Sequence, residues 1–315
     1  MVYAALDIGG TKTIAALVDE KGAVLRQEKF ATDVRDCGVH LEKCADSLRH
    51  MLSEEGAAAA SVPGIGVSLP GIVDNDGGIL LNAPYAGWHD VPVAGILNGL
   101  LGIPRVRCEN DVNACALAEL RFGAGSRYSD FVWMTVSTGV GGACVADGRL
   151  IRGAQGFAGE LGHLKVEYEA PATCPCGQKG CLEAHGSGTA LRREIETAVR
   201  EDTGFANAFA ERSYPINAES CALLAAEGNG AAKRIFARIG KYLGRGMAYC
   251  INVLNPRAII VGGGVAASLE LMLESIREEI ASDAHTALRN VDVLATPLGY
   301  EAALLGAASL VIDGR

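Results

Sequence analysis

The chain has 315 residues, 49% of them hydrophobic and 5% aromatic, with a formal net charge of −9. That length supports a large core and two domains of ordinary size. The acidic balance argues against a nucleic-acid partner, whose phosphates call for a basic patch. Ten cysteines are spread over the chain without a long apolar segment, and the opening Met1-Val2-Tyr3-Ala4-Ala5-Leu6-Asp7 meets a charge too early for a secretory signal. A reducing cytoplasm and no membrane are therefore expected.

The first predicted elements form a β-meander. Val2 to Ile8, Thr13 to Val18 and Ala23 to Phe30 read as strands, with Gly9-Gly10-Thr11-Lys12 as the first turn and Asp19 to Gly22 as the second. Asp7 thus stands at a strand end beside a turn whose N–H groups can face phosphate oxygens. A carboxylate fits there when a cation such as Mg²⁺ lies between it and the phosphate; a plain β-turn with a capping Asp is the alternative. The Walker A spacing is absent.

A helix is expected from about Val39 to Glu55, where Leu41, Cys44, Ala45, Leu48, Met51 and Leu52 fall at helical spacing, followed by a buried strand over Gly64 to Leu69. Glu109-Asn110-Asp111-Val112-Asn113-Ala114 follows a short apolar stretch and precedes a helix-forming run to Leu120. Asp111 at such a place either caps the helix or serves as general base toward an attacking hydroxyl. Asn110 would orient the same substrate.

Around residue 131 the pattern repeats: strand Phe131 to Val136, turn Ser137-Thr138-Gly139-Val140-Gly141-Gly142, strand Ala143 to Ala146. Two hairpins of this kind predict a duplicated domain with a cleft between the halves, both glycine turns facing one ligand. Next come Glu160-Leu161-Gly162-His163 and Cys174-Pro175-Cys176-Gly177-Gln178-Lys179-Gly180-Cys181-Leu182-Glu183. His163, Cys174, Cys176 and Cys181 supply the four N/S ligands of a closed tetrahedral zinc site, which reads as structural. Gly177 and Gly180 allow the tight turns that aim the sulfurs at one centre. Glu160 and Glu183 are hard oxygen groups that such a centre does not need, so they are free to accept hydroxyls of a polyhydroxylated ligand. His163 has a second ring nitrogen for a carboxylate or a substrate hydroxyl.

The remaining elements are a helix over Ala231 to Leu254, a strand Ala258 to Val261, the cluster Gly262-Gly263-Gly264, a helix from Leu269 to Ile280 and a last helix from Ala302 to Ile312. Strand, glycine, helix is an arrangement suited to nucleotide phosphates.

Taken together, Asp7-x-Gly9-Gly10-Thr11-Lys12, Glu109 to Ala114, Ser137 to Gly142, Gly159-Glu160-Leu161-Gly162-His163, the cysteine segment through Glu183, and Ile260-Val261-Gly262-Gly263-Gly264 resemble the ROK family of sugar kinases and repressors, in the actin-like ATPase superfamily. The resemblance covers essentially the whole chain. It implies an α/β, two-lobed actin-like ATPase (ribonuclease H-like) fold with an interlobe cleft, ATP and Mg²⁺ as cofactors, a structural Zn²⁺, and a homodimer or homotetramer. Residues 1–116 with 301–315 are expected to form a smaller lobe, and residues 117–300 a larger one holding the zinc. By the same resemblance Asp111 is the catalytic base, and Asn110, Glu160, His163 and Glu183 bind the sugar. Asp7, Gly9, Gly10, Thr11, Lys12, Thr138, Gly139 and Gly263 line the nucleotide side.

Family repressors carry a winged helix-turn-helix ahead of the first strand, whereas here Asp7 lies near the N-terminus, so an enzyme is expected over a repressor. A non-catalytic sugar sensor is the alternative of another class. The segments Ser137 to Gly142 and Gly159 to His163 look most like bacterial glucokinases, which places glucose first as substrate, phosphorylated at C6, ahead of N-acetylmannosamine, N-acetylglucosamine, allose and fructose. One departure concerns the sugar pocket: many glucokinases of the family read Ala-Pro-Asn where this chain has Ala83-Pro84-Tyr85.

Overall fold

The computed structural model describes residues 1–83 and 85–312. The chain separates into two compact units, one made of Met1–Arg127, Leu150–Ala158 and Pro297–Arg315, the other of Tyr128–Arg149 and Gly159–Thr296. Of the expected C-terminal segment 301–315, residues 313–315 lie outside those described.

The first unit begins with β1 (Val2–Ile8), β2 (Lys12–Asp19) and β3 (Val24–Ala31), the predicted meander. Helix α1 (Cys37–Glu54) starts where the Asp36 side chain accepts the Val39 N–H, and it buries the predicted face, Leu41, Cys44, Ala45, Leu48, Met51 and Leu52. Then follow β4 (Ile65–Leu69), a small antiparallel sheet of β5 (Ile72–Asp74), β6 (Ile79–Ala83) and β7 (Trp88–Val91), helix α2 (Val93–Leu101), strand β8 (Val106–Asn110) and helix α3 (Asp111–Phe122).

The main sheet runs β3-β2-β1-β4-β8, antiparallel across the meander and parallel from β1 to β4 and from β4 to β8. Register aligns Asp7 with Ser68, Ser68 with Glu109, and Leu69 with Asn110. The carboxyl ends of three parallel strands thus form one rim, the usual address of a ligand in an α/β sheet.

In the second unit β9 (Phe131–Val136), β10 (Val140–Ala146) and β11 (Arg149–Ile151) repeat the meander. Helices α4 (Leu182–Gly186), α5 (Gly188–Glu201), α6 (Thr203–Ala210), α7 (Ala218–Ala226) and the 25-residue α8 (Gly230–Leu254) lead to β12 (Ala258–Gly262), α9 (Leu273–Asp283) and β13 (Asp292–Ala295). The sheet order is β11-β10-β9-β12-β13, with β9 antiparallel to β10 and parallel to β12, which is parallel to β13. Strand order and direction match the first sheet, as duplication requires. The chain then returns to the first unit as α10 (Ala302–Ser309), whose Leu304, Leu305, Ala307 and Ala308 share a core with Ala5, Ala16 and Ala118.

Three sequence readings shift. Val140, Gly141 and Gly142 pair with Val136, Thr135 and Met134, so the second glycine turn is only Ser137–Gly139 and the rest of the motif is strand. The helix expected from Leu269 begins at Leu273, preceded by a 3-10 segment Gly264–Leu271 with a non-helical Ser268. The expected boundary between residues 116 and 117 falls inside α3, a continuous helix whose buried Ala114, Ala116 and Ala118 keep it wholly with the first unit.

Candidate active site and metal centre

Helix α3 begins at Asp111, and its cap is Asn110 rather than the aspartate. Asn110 Oδ1 accepts the N–H groups of Val112 and Asn113 at 3.0 and 3.2 Å, while Asn110 Nδ2 donates to Gly71 O and to Asp111 Oδ1, both at 3.0 Å. Asp111 Oδ1 also accepts Val112 N–H at 2.9 Å. Oδ2 accepts no hydrogen bond among the described residues, so one oxygen is anchored and the other is free to take a proton. Burial pushes the Asp111 carboxyl up to about 6, the nearby Asp7 charge adds to the shift, and the bonds from Val112 and Asn110 oppose it. A carboxylate so placed is a competent proton acceptor near neutral pH.

Asp7 ends β1 as predicted. Burial raises its pKa, and this is moderated by Ser68 Oγ, which donates at 3.1 Å, and by the Lys12 ammonium. Gly9 N–H donates to Lys12 O at 2.9 Å and Thr32 N–H to Thr11 O at 3.1 Å, closing the turn, with Gly10, Thr11 and Lys12 exposed. Tyr85 packs over this turn: a Cβ added to Gly10 would stand 3.0 Å from its ring. Burial pushes the Tyr85 phenol up to about 12, with the charges of Cys37 and Asp111 adding to it. Pro84 lies outside the described residues.

Sequence reasoning missed the support beneath Asp111. Glu109, 1% exposed, accepts Asn110 N–H and Asn113 Nδ2 on Oε1 at 3.0 and 3.1 Å. Its Oε2 takes Arg152 Nε and Nη2 at 2.9 and 2.7 Å. The forked guanidinium satisfies a carboxylate that burial would otherwise penalise. The two partners lie 43 residues apart, too far for any local pattern to reveal the pair.

In the second unit the structure gathers Thr138, Gly139 and Gly263 around one turn. Gly188 N–H donates to Ser137 O at 2.7 Å, and Thr189 Oγ1 donates to Thr138 O at 2.8 Å, tying the turn to the start of α5. Gly263 has φ +84, and a Cβ there would lie 2.4 Å from Val136 O. Besides the sugar hydroxyls expected of it, Glu183 has a backbone partner: Oε2 accepts Val140 N–H at 3.1 Å, and a side chain at Gly139 would strike it at 2.3 Å. Glycine is required there so that the carboxylate can reach the backbone.

Ligand atoms of His163, Cys174, Cys176 and Cys181 lie within 4.8 Å of one another, a group of four potential metal donors. Cys174 Sγ stands 3.8 Å from His163 Nδ1, and Cys176 Sγ 3.8 Å from Cys181 Sγ. Four ligands about 2.3 Å from a shared centre at tetrahedral angles would be about 3.8 Å apart, so the donor set fits zinc. Gly177 and Gly180, at φ +86 and +76, make the turns. His163 Nε2 faces Glu160 Oε2 at 3.7 Å, and Cys174 Sγ lies 3.7 Å from Glu183 Oε1, so both acids border the cluster. Lys165 Nζ, which sequence reasoning missed, donates to Cys181 Sγ at 3.0 Å.

The description "ROK family" belongs to the family model that matches residues 3–314. A glucokinase of Thermotoga maritima is 33% identical over 97% of this chain and 96% of its own. The structure of a ROK family glucokinase from Streptomyces griseus, in complex with glucose and AMPPNP, is 31% identical and superposes with a TM-score of 0.79 over the whole of both chains. A xylose repressor of Bacillus subtilis is 27% identical over 98% of this chain and 76% of its own.

Proposed function

Because the chain belongs to the ROK family, we propose that it is an ATP-dependent hexose kinase that transfers the γ-phosphoryl group to the C6 hydroxyl of glucose. The observation that carries this reading is Asp111, with one oxygen anchored at the start of α3, the other unpartnered among the described residues, and a pKa raised to about 6. The relatives named glucokinase, matched along nearly their full length, support glucose as the sugar.

In this mechanism Asp111 Oδ2 accepts the proton of the attacking hydroxyl, while Asn110 holds the base in place. The Gly9–Lys12 and Ser137–Gly139 turns offer backbone N–H groups to phosphate oxygens, and Lys12 adds positive charge. Asp7 is the carboxylate that fits Mg²⁺, which when bound neutralises phosphate charge. Glu160, Glu183 and the second nitrogen of His163 are assigned to sugar hydroxyls. A structural zinc held by His163, Cys174, Cys176 and Cys181 would fix the histidine ring and the polypeptide around it.

We also assign the protein to the cytoplasm, its ten cysteines being in no disulfide, and expect a homodimer or homotetramer, which sedimentation would measure. No described helix is long and apolar enough to cross a membrane. The test of function is ADP release with ATP, Mg²⁺ and a panel of glucose, N-acetylmannosamine, N-acetylglucosamine, allose and fructose. Turnover fastest with glucose is expected. Turnover with another sugar of the panel would reassign the substrate, and sugar binding without turnover would overturn the kinase reading in favour of a non-catalytic sensor.

A further inference from the structure

Beneath the Gly9–Lys12 turn lies a chain of polar groups, buried at His40 and Thr13 and half-buried at Thr32, that the mechanism does not use. His40 is fully buried between Phe30 and Trp88, its ring 5.9 and 5.8 Å from theirs. Its Nδ1 lies 3.2 Å from the Asp33 backbone N–H, and its Nε2 lies 2.8 Å from Thr13 Oγ1. Thr13, also fully buried, is 2.9 Å from Thr32 Oγ1, and Thr32 Oγ1 donates to the Gly9 carbonyl at 2.7 Å.

The proton inventory gives these bonds a single direction. An amide N–H can only donate, so His40 Nδ1 is the acceptor and the ring proton is on Nε2. A carbonyl can only accept, so the one proton of Thr32 goes to Gly9. Thr32 must then accept from Thr13, whose own oxygen accepts from His40 Nε2. Each hydrogen is used once, and the chain runs from His40 through Thr13 and Thr32 to Gly9. Cys44 Sγ, 3.7 Å from the same Nε2, is only a weak further contact. Burial, aided by Lys43, holds the imidazole pKa below its usual value, in keeping with the neutral ring that this pattern demands.

The peptide following Gly9 is planar and trans, so its C=O and the N–H of Gly10 point in opposite directions. Drawing the carbonyl inward to Thr32 therefore turns the Gly10 N–H outward, at an exposed residue of the turn. We propose that His40, Thr13 and Thr32 are positioning residues that hold the Gly9–Gly10 peptide with its N–H presented to the phosphates of the nucleotide. This rests on the kinase reading for the identity of the ligand, and on geometry alone for the orientation of the peptide.

Thr32→Val keeps the shape and removes the donor, while Thr32→Ser keeps the donor. Loss of one neutral hydrogen bond of ordinary strength predicts about fivefold weaker Mg-ADP binding in Thr32→Val, with sugar affinity unchanged and wild-type behaviour restored in Thr32→Ser. Without nucleotide, exchange of the Gly10 amide should change in Thr32→Val and not in Thr32→Ser, while β1 amides keep their rates. Nitrogen-15 spectra of the wild-type protein should show His40 protonated on Nε2 and bare on Nδ1. A proton on Nδ1, unchanged exchange at Gly10, or equal loss of nucleotide and sugar affinity would overturn the proposal. Wild-type protein that binds no nucleotide would sink the kinase reading instead, and the exchange and tautomer measurements would still judge the relay.

Discussion

The two units build the same turn in two ways. Each follows the first strand of a meander, β1 or β9, and each is proposed to face nucleotide phosphate. In the first unit the Gly9–Lys12 turn is braced from below by neutral groups, with Thr32 Oγ1 on Gly9 O and His40 at the far end. In the second the Ser137–Gly139 turn is braced by a carboxylate, Glu183, whose other oxygen lies 3.7 Å from Cys174 of the candidate metal site. A neutral relay has no ion to lose, whereas a brace that touches a thiolate cluster depends on what the cluster holds. The contrast predicts that base chemistry follows the first unit and metal dependence the second.

The largest expected effect is in the first unit. Asp111→Asn keeps the shape and the bonds to Oδ1 but removes the acceptor of the proton, and kcat should fall about 10³-fold while zinc content and thermal midpoint stay near wild type. Near-normal turnover in this variant would remove Asp111 from its role. The metal comes next. Purified protein should contain about one zinc per chain, and Cys176→Ser, altering the one exposed ligand thiol, should lose it. Sugar affinity should then drop about 10- to 100-fold, with Mg-ADP affinity less affected because the Gly9 turn has its own support. Equal loss of both would erase the distinction between the turns, and three freely titrating thiols with no metal would refute the site.

A smaller effect separates the two tasks given to Glu183. Glu183→Gln retains an oxygen for Val140 N–H and loses the charge, so sugar affinity should fall about tenfold while nucleotide binding holds. Glu183→Ala removes the brace as well and should weaken both by about that factor, a charged hydrogen bond contributing about 1.5–3 kcal/mol. Identical behaviour of the two variants in calorimetric titrations would show that bracing the turn plays no part.

What was legible in the chain was local. Spacing between residues 174 and 181 grouped three cysteines whose sulfurs the structure brings within 4.8 Å of one another and of a His163 ring nitrogen, and repeated strand, glycine, strand patterns revealed the duplication that both sheets carry. Apolar spacing placed α1 and α8 to within about two residues. Two facts escaped because they are set by partners far along the chain. The turn after β9 is short because Val140 pairs with Val136 and is pinned by Glu183, 43 residues on. The cap of α3 is Asn110 and not Asp111, because the Gly71 carbonyl, 39 residues back, holds the asparagine side chain in place. The small sheet β5-β6-β7 and helices α5 to α7 carry no chemistry in their sequence and went unread.

The subtlest expected effect is in pH dependence, and it bears on the first unit alone. In the free enzyme Asp111 is raised to about 6 by burial and by the Asp7 charge, so the base is deprotonated above that pH and protonated below it. Catalysis by the base form should therefore rise with pH through about 6 and level off, and kcat/KM should be down about tenfold at one unit below the midpoint. Asp7→Asn removes the charge that adds to the shift and should carry the acid limb downward, whatever else it does to Mg²⁺ binding. Glu183→Gln lies in the other unit and should leave the limb in place. An acid limb that moved with Glu183→Gln and stayed put in Asp7→Asn would mean that the proton controlling turnover belongs to the second unit, and the contrast between the two turns would be reversed.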